Sequence, residues 1–341
     1  MVSTNVMESI ERESAAETAR IFNTAIAASA IAAAFELGLF DELAESTTVS
    51  VADFCRRGDL RQQGFESVVG VLSRFGIVEF WPPDKTIRQG PLFAQTHQDK
   101  GYFYWLVRGY GNFWNNLGGL LRNSGPNPFI QRHGESIAKA GRDYGAHFVD
   151  RQFHEVLHQV PFRVAADFGC GSAARLIQLA RTIPGFRGVG IDISHGAVDV
   201  ARQAAIDAGV ADRITVIHCD ATRLEPHPEF ADVDLLFSFF IGHDLWPRAN
   251  CLAYLRDIRE MFPRATRFLL CDTYRSDLSV TQDVPVFTLG FEVTHAIMGQ
   301  YIPSVQEWLG VFEESGWYCL DRRDVPLPFT TIFDLRRNRP D

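Results

Sequence analysis

From Arg163 onward the sequence alternates β-rich runs with helical stretches, and this alternation restricts the possible folds more than any other feature. RVAADFG, GVGIDI, ITVIHCD, VDLLFSFF and RFLLCDTY are rich in β-branched, aromatic and small apolar residues. Each ends near a glycine, an aspartate or a polar turn. Helical stretches lie between them at 172–183, 196–208 and 247–262. The pattern predicts a doubly wound, mostly parallel α/β sheet. Two late runs, WYCLDRRDV and TTIFDLRR, predict an antiparallel pair at its edge.

The first half reads differently. Residues 17–37 predict a helix that is apolar nearly all round, with Gly38 as its C-cap. Such a helix must be buried, and a second copy of the chain is a natural cover, so a homodimer through the N-terminal domain is expected. VSVADFCRR and RQQGFESVVGVLSRFG predict two helices, and IVEFW and TIRQG a hairpin around Pro82-Pro83. Helix, turn, helix and hairpin outline a winged helix. DNA is not the expected partner, because the net charge is −9 over 341 residues and a basic face is wanted for nucleic acid. The expected division is a winged-helix-like dimerisation domain at 1–100, a helical linker and substrate-covering region at 101–160, and a catalytic domain at 161–341. The six cysteines form no CxxC pair, so buried free thiols in a cytoplasmic protein are expected. The apolar run AIAASAIAAAF has 11 residues, and about 20 are needed to span a bilayer. No membrane partner and no signal peptide are expected.

The turn after the first strand of the sheet reads ADFGCGSAARL. Gly169 and Gly171 permit a tight turn and close backbone approach to a ligand. Alone this is a weak motif, since Ala173 stands near the place of a third glycine. The acids that follow raise its value. Asp192 ends the second strand, where a ribose diol would bind, and Asp220 follows the third, where an adenine edge would lie, beside Ala221. Asp167, just before the glycines, suits an ammonium group and would repel a phosphate. S-adenosyl-L-methionine is therefore expected as cofactor rather than a dinucleotide, with Ser238 on the fourth strand also lining its site.

VAADFGCGSA, GVGIDI, HCDAT and the final strand pair resemble class I S-adenosylmethionine-dependent methyltransferases. GHDLWPRANCLAYLRDIREMF is similar to the corresponding segment of the plant-type O-methyltransferases, and the resemblance covers nearly the whole chain. It implies a Rossmann-like catalytic sheet behind a winged-helix-like, mostly helical dimerisation domain. In that family the histidine matching His243 is the general base that deprotonates a phenol.

A second segment, PVFTLGFEVTHAIMGQYIPSVQEW, places His295 in an apolar, helix-like stretch. By itself such a histidine reads as a satisfied core residue. Together with GHDLWPR, RFLLCDTYR and the His295–Met298–Gly299 spacing, it resembles a narrower family. These are the metal-dependent 2-oxo acid C-methyltransferases of nonribosomal peptide antibiotic pathways, with phenylpyruvate C3-methyltransferase among them. The resemblance implies that His243 and His295 bind one divalent or trivalent metal ion, iron or zinc foremost. It places Asp244 beside the metal as a ligand, a hydrogen-bond acceptor or a base, and these roles stay open. It also implies that Arg132, in FIQRHG, holds the substrate carboxylate.

The chemistry suits these residue types. C3–H of a 2-oxo acid is a weak acid, and a Lewis acid on the chelating oxygens lowers the barrier to the enolate. A guanidinium makes a two-pronged match to a carboxylate. Trp105, Phe287, Met298 and Gln300 are expected pocket residues. None adds an acid suited to a guanidinium substrate, so an apolar side chain is expected. 4-Methyl-2-oxopentanoate comes first and phenylpyruvate next. The competing readings are an O-methyltransferase that uses His243 as base without metal, and a winged-helix regulator that binds S-adenosylmethionine as an effector.

Overall fold

A computed structural model describes residues 4–277 and 284–338, with side chains from residue 12 onward. The chain divides into two compact units, Met1–His147 and Phe148–Asp341.

In the first unit, α1 (Thr4–Glu36) ends as its sequence predicts. Gly38 adopts left-handed backbone at φ 79°, and its amide donates to Phe35 O. The C-terminal half of α1 is core: Ala27, Ala30, Ile31, Ala32 and Ala34 are buried. Further up, Ile21, Phe22 and Ile26 are 61%, 69% and 47% exposed in the single chain, the part of the helix for which a second copy is the expected cover. The span Arg12–Glu36 is long and apolar enough to cross a membrane by length and composition, a test that a core helix also passes.

α2 (Leu39–Ser46), α3 (Val51–Arg57) and α4 (Gln62–Arg74) follow. The Ser50 side chain caps α3 by accepting from the Asp53 amide. β1 (Thr48–Ser50), β2 (Val78–Trp81) and β3 (Thr86–Gln89) form an antiparallel sheet in the order β1-β3-β2. This is the helix–helix–hairpin outline, with β1 an unexpected third strand.

α5 (Phe93–Tyr104) packs on α1, with the Phe35 and Tyr104 rings edge-on at 5.2 Å. Lys100 is 2% exposed and pairs with Asp143 at 2.8 Å. The first unit runs on through this pair to His147.

The second unit is a seven-stranded sheet. Its strands are β4 (Val164–Phe168), β5 (Arg187–Asp192), β6 (Ile214–His218), β7 (Leu235–Phe239), β8 (Arg267–Thr273), β9 (Tyr318–Asp324) and β10 (Thr330–Arg336). The order is β6-β5-β4-β7-β8-β10-β9. β4 to β8 pair in parallel, and β10 runs antiparallel between β8 and β9. Every residue of β4, β7 and β8 is buried, which explains their continuous apolar runs. Helices Ala174–Thr182, His195–Asp207, Arg248–Met261 and Val305–Ser315 supply the rest of the layers.

One face is filled by Phe168, Phe230, Phe262, Phe268, Trp308, Phe312, Trp317 and Phe333. An ion pair is buried with it: Arg267 and Asp334 are each 2% exposed and joined by two 2.9 Å bonds. Arg267 also donates to the Val156 and Leu157 carbonyls, tying the helix Asp150–Leu157 to the sheet. Strand order reverses between β4 and β7, so the carboxyl ends of those two strands flank a crevice of the kind in which ligands bind.

Candidate active site

The chain leaves β4 by a turn that uses left-handed backbone three times. Gly169, Gly171 and Ala173 have φ of 75°, 54° and 55°. Only Ala173 carries a side chain there, and it is fully buried. The Gly169 and Cys170 amides donate to Ile191 O at 2.8 and 3.0 Å, and the Gly171 amide donates to Asp192 Oδ2 at 2.8 Å. The glycine turn and the acid ending β5 are thus one structure. Asp192 Oδ1 accepts from the Ser194 amide at 2.9 Å. Two bonds leave a carboxylate with lone pairs for a ligand's hydroxyls.

Beyond β6, Asp220 Oδ1 accepts from the Thr222 amide and hydroxyl at 2.9 and 2.7 Å, and Ala221 beside it is buried. Ser238 is buried on β7, and its hydroxyl donates to Phe168 O at 3.4 Å, across the switch point.

Asp167 is 3% exposed, and among the described residues no hydrogen bond reaches its carboxylate. Burial pushes it up to about 7; Arg175 opposes that shift, and the charges of Asp192 and Asp150 add to it. Arg175 is itself held by Asp150 at 2.8 Å and lies 3.8 Å from the Phe239 ring centroid. A buried carboxylate without donors fits a ligand's ammonium group and rejects a phosphate. The residues present therefore fit S-adenosylmethionine.

The second cluster lies past β7. Gly242–Leu245 form a single 3-10 turn. His243 is buried, and its Nδ1 donates to Asp272 Oδ1 at 2.9 Å while its backbone amide donates to Asp272 Oδ2. Asp272, near the end of β8, is fully buried. A Cβ on Gly242 would stand 2.5 Å from Asp272 Oδ2, so only glycine fits there.

His295 lies on the helix Thr288–Met298, buried, with Nδ1 donating to Phe291 O four residues back at 2.6 Å. Both imidazoles in neutral form therefore carry the proton on Nδ1 and present Nε2 as the lone-pair nitrogen. Their rings stand 4.9 Å apart at 84°. Phe291 packs on both, and the Phe287 ring lies 5.2 Å from that of Phe291. Met298 is buried at the end of the same helix.

The expected trio of His243, His295 and Asp244 is not assembled. Among the described residues no three His, Cys, Asp or Glu side chains gather to hold a metal ion. The Asp244 carboxylate instead accepts from Gln300 Nε2. The two imidazoles, each fixed by a protein acceptor at Nδ1, fit a metal held by two nitrogens with other positions left to substrate. A three-ligand protein site does not fit.

Arg132 and Trp105 belong to the first unit. Arg132 is exposed, 4.8 Å from the Phe129 ring centroid, and pairs with no acidic side chain among the described residues. Trp105 is buried, with its ring 4.2 Å from that of Tyr110.

Asp272 and Arg175 are absent from the sequence reading of the site. Asp272 had a signal: an acid at the carboxyl end of an apolar strand, the same feature that singles out Asp192.

Residues 165–263 match the family model described as a methyltransferase domain. Methyltransferase ungE' of Aspergillus campestris (strain IBT 28561) is 35% identical over 329 residues, covering 93% of this chain and 96% of that protein. Indolepyruvate C-methyltransferase of Streptomyces griseus is 30% identical over 325 residues, covering 93% and 94%. Among solved structures, the mitomycin 7-O-methyltransferase MmcR superposes with a TM-score of 0.67 at 19% identity, covering 96% of this chain and 99% of that one.

Proposed function

The chain belongs to the S-adenosylmethionine-dependent methyltransferases of the plant-type O-methyltransferase-like class, and on that footing we propose that it methylates C3 of a 2-oxo acid. The observation that carries the reading is the buried pair His243 and His295, with rings 4.9 Å apart and each Nδ1 held by a protein acceptor. A relative named for C-methylation of indolepyruvate, matching over 93% of this chain, supports the same substrate class.

In this reading Asp167 holds the ammonium of S-adenosylmethionine, Asp192 its ribose diol and Asp220 its adenine edge. Gly169 and Gly171 let the backbone approach. The cofactor supplies the sulfonium methyl. His243 and His295 would hold a metal ion, iron or zinc, which supplies Lewis-acid stabilisation of enolate charge. Asp272 and the Phe291 carbonyl orient the two rings. Phe287, Met298 and Gln300 of the second unit belong to the pocket.

The side chain accepted is apolar, as in 4-methyl-2-oxopentanoate, phenylpyruvate or indole-3-pyruvate. The product is a β-methyl 2-oxo acid, the precursor of a β-methyl amino acid for peptide antibiotic assembly. The exposed apolar residues Ile21, Phe22 and Ile26 of α1 support a homodimer through the first unit.

A second reading has its own observation. Asp272 behind His243 is the arrangement of a general base whose partner stabilises the imidazolium, which suits O-methylation of a phenol.

The deciding experiment incubates the enzyme and S-adenosylmethionine with those three 2-oxo acids, each deuterated at C3, with and without chelator. The expected product has gained a methyl and lost one deuterium, and chelator suppresses it. Methylation of a phenol panel, with every C3 deuterium retained in the 2-oxo acids, would instead establish the second reading.

A further inference from the structure

Asp244 is one peptide away from His243, on the same 3-10 turn. Gln300 sits just past the end of the His295 helix. Gly299 turns the chain at φ 71°, and the Gln300 amide donates back to the His295 carbonyl at 2.9 Å. The Gln300 side chain then donates from Nε2 to Asp244 Oδ1. A continuous path therefore runs from one histidine to the other: His243, Asp244, Gln300, His295.

We propose that Asp244 and Gln300 form a clasp that sets His295 against His243, so that Asp244 is a positioning residue and not a ligand or base. The proposal rests on His243 and His295 being the working pair.

Three observations carry it. First, Gln300 Oε1 is buried without a partner among the described residues. An amide buried for general packing has both ends satisfied; here the amide gains one bond, to Asp244. Second, Asp244 joins no three-residue ligand group with the histidines.

Third, the other ties on this segment lead elsewhere. Arg275 donates to the Tyr301 hydroxyl at 2.8 Å, and its amide donates to Pro303 O at 2.9 Å, fixing residues 301–303 to the exit of β8. Glu292 accepts from the Ser276 amide at 2.7 Å, again at that exit. Trp246 meets the Tyr301 ring at 5.5 Å, a contact without a hydrogen bond. Among the described residues, only Asp244 to Gln300 joins the neighbour of His243 to the cap of the His295 helix by a hydrogen bond. A bond from a neutral donor to a carboxylate is charge-assisted and directional, here made to the exposed carboxylate of Asp244.

The test uses the full-length enzyme and two changes. Gln300→Met keeps length and removes the donor. Asp244→Asn combined with Gln300→Glu exchanges donor and acceptor and rebuilds the bond in reverse. Ring C–H resonances of isotope-labelled histidine are recorded, with those of His295 assigned through His295→Gln. Binding of S-adenosylhomocysteine and methyl transfer are measured alongside.

Gln300→Met is expected to shift the His295 and His243 resonances and to lower kcat by about tenfold or more, with cofactor affinity unchanged. The exchanged pair is expected to return both resonances and most of kcat. Two results overturn the clasp. One is Gln300→Met with resonances in place and kcat within about twofold. The other is an exchanged pair with restored resonances but activity no better than Asp244→Asn alone, which would make Asp244 chemical rather than positional. If the unmodified enzyme methylates no 2-oxo acid, the functional reading fails on its own, and the resonances still decide the clasp.

Discussion

Asp167 offers the sharpest test of the cofactor site, because its burial sets a sign as well as a size. Its carboxyl is raised from 3.8 to about 7, chiefly by desolvation. In the ligand-free protein the folded state therefore holds a proton that the unfolded state has released over that interval. Stability is full below pH 3.8 and falls as pH rises through 7. At about 1.4 kcal/mol per tenfold, the ionised carboxylate destabilises the empty protein by about 4 kcal/mol above pH 7. A bound ammonium offsets that penalty, and it binds the ionised form. Affinity for S-adenosylhomocysteine should thus fall about tenfold per pH unit below 7, reaching about 30-fold by pH 5.5.

Asp167→Asn keeps the shape and removes the charge. It should abolish cofactor binding and its pH dependence, yet raise the melting temperature of the ligand-free protein at pH 8. For a unit of this size the rise is up to roughly 10 °C. Titration calorimetry from pH 5.5 to 8.5 and scanning calorimetry of both proteins measure these effects. Affinity that is flat with pH, or an Asn variant that melts no higher than wild type at pH 8, would refute the assignment of Asp167 to the ammonium.

Three further predictions follow from buried contacts. Asp272→Asn takes the carboxylate from His243 Nδ1 and should lower kcat/KM by about 10- to 100-fold in a steady-state methyl-transfer assay, with S-adenosylhomocysteine affinity unchanged. Gly242→Ala puts a Cβ 2.5 Å from Asp272 Oδ2, so it should displace the His243–Asp272 pair and lose about tenfold or more of the same activity. Arg267→Met leaves Asp334 buried with Arg336 as its remaining partner and should destabilise the protein by about 3 kcal/mol, read as a lower urea midpoint.

Much of this architecture is legible in the sequence because it is local. The helices expected at 172–183, 196–208 and 247–262 appear within about two residues of those bounds, and all five parallel strands and the antiparallel edge pair are present. The glycine turn and its three acids declare themselves by spacing along strands whose ends must meet at one edge.

What was hidden is non-local. Lys100 and Asp143 pair inside the first unit, and nothing in either neighbourhood announces the pairing. β1 is three residues long, too short for a period. Asp272 pairs with His243 only because β8 lies beside β7. The bond from the Gln300 amide to Asp244, 56 residues back in the chain, has no local signal.

His295 shows how the two readings of one residue can be separated. A histidine in an apolar helix is commonly a core residue, and its bond to the Phe291 carbonyl satisfies one nitrogen in the ordinary i−4 manner. That same bond fixes the proton on Nδ1. His243 is fixed in the same tautomer by Asp272. As neutral rings, then, both carry the proton on Nδ1, and two readings of the pair remain to be separated. A shared proton makes His243 a base supported by its neighbour; a shared metal makes the two histidines equal.

The glutamine variants of each discriminate. With a metal, His243→Gln and His295→Gln should both abolish the visible spectrum of added cobalt(II) and lower kcat by similar factors. With a base, cobalt(II) gives no histidine-dependent spectrum, His243→Gln removes activity, and His295→Gln costs about tenfold or less. Equal losses without a cobalt spectrum would contradict both, and would return His295 to the core.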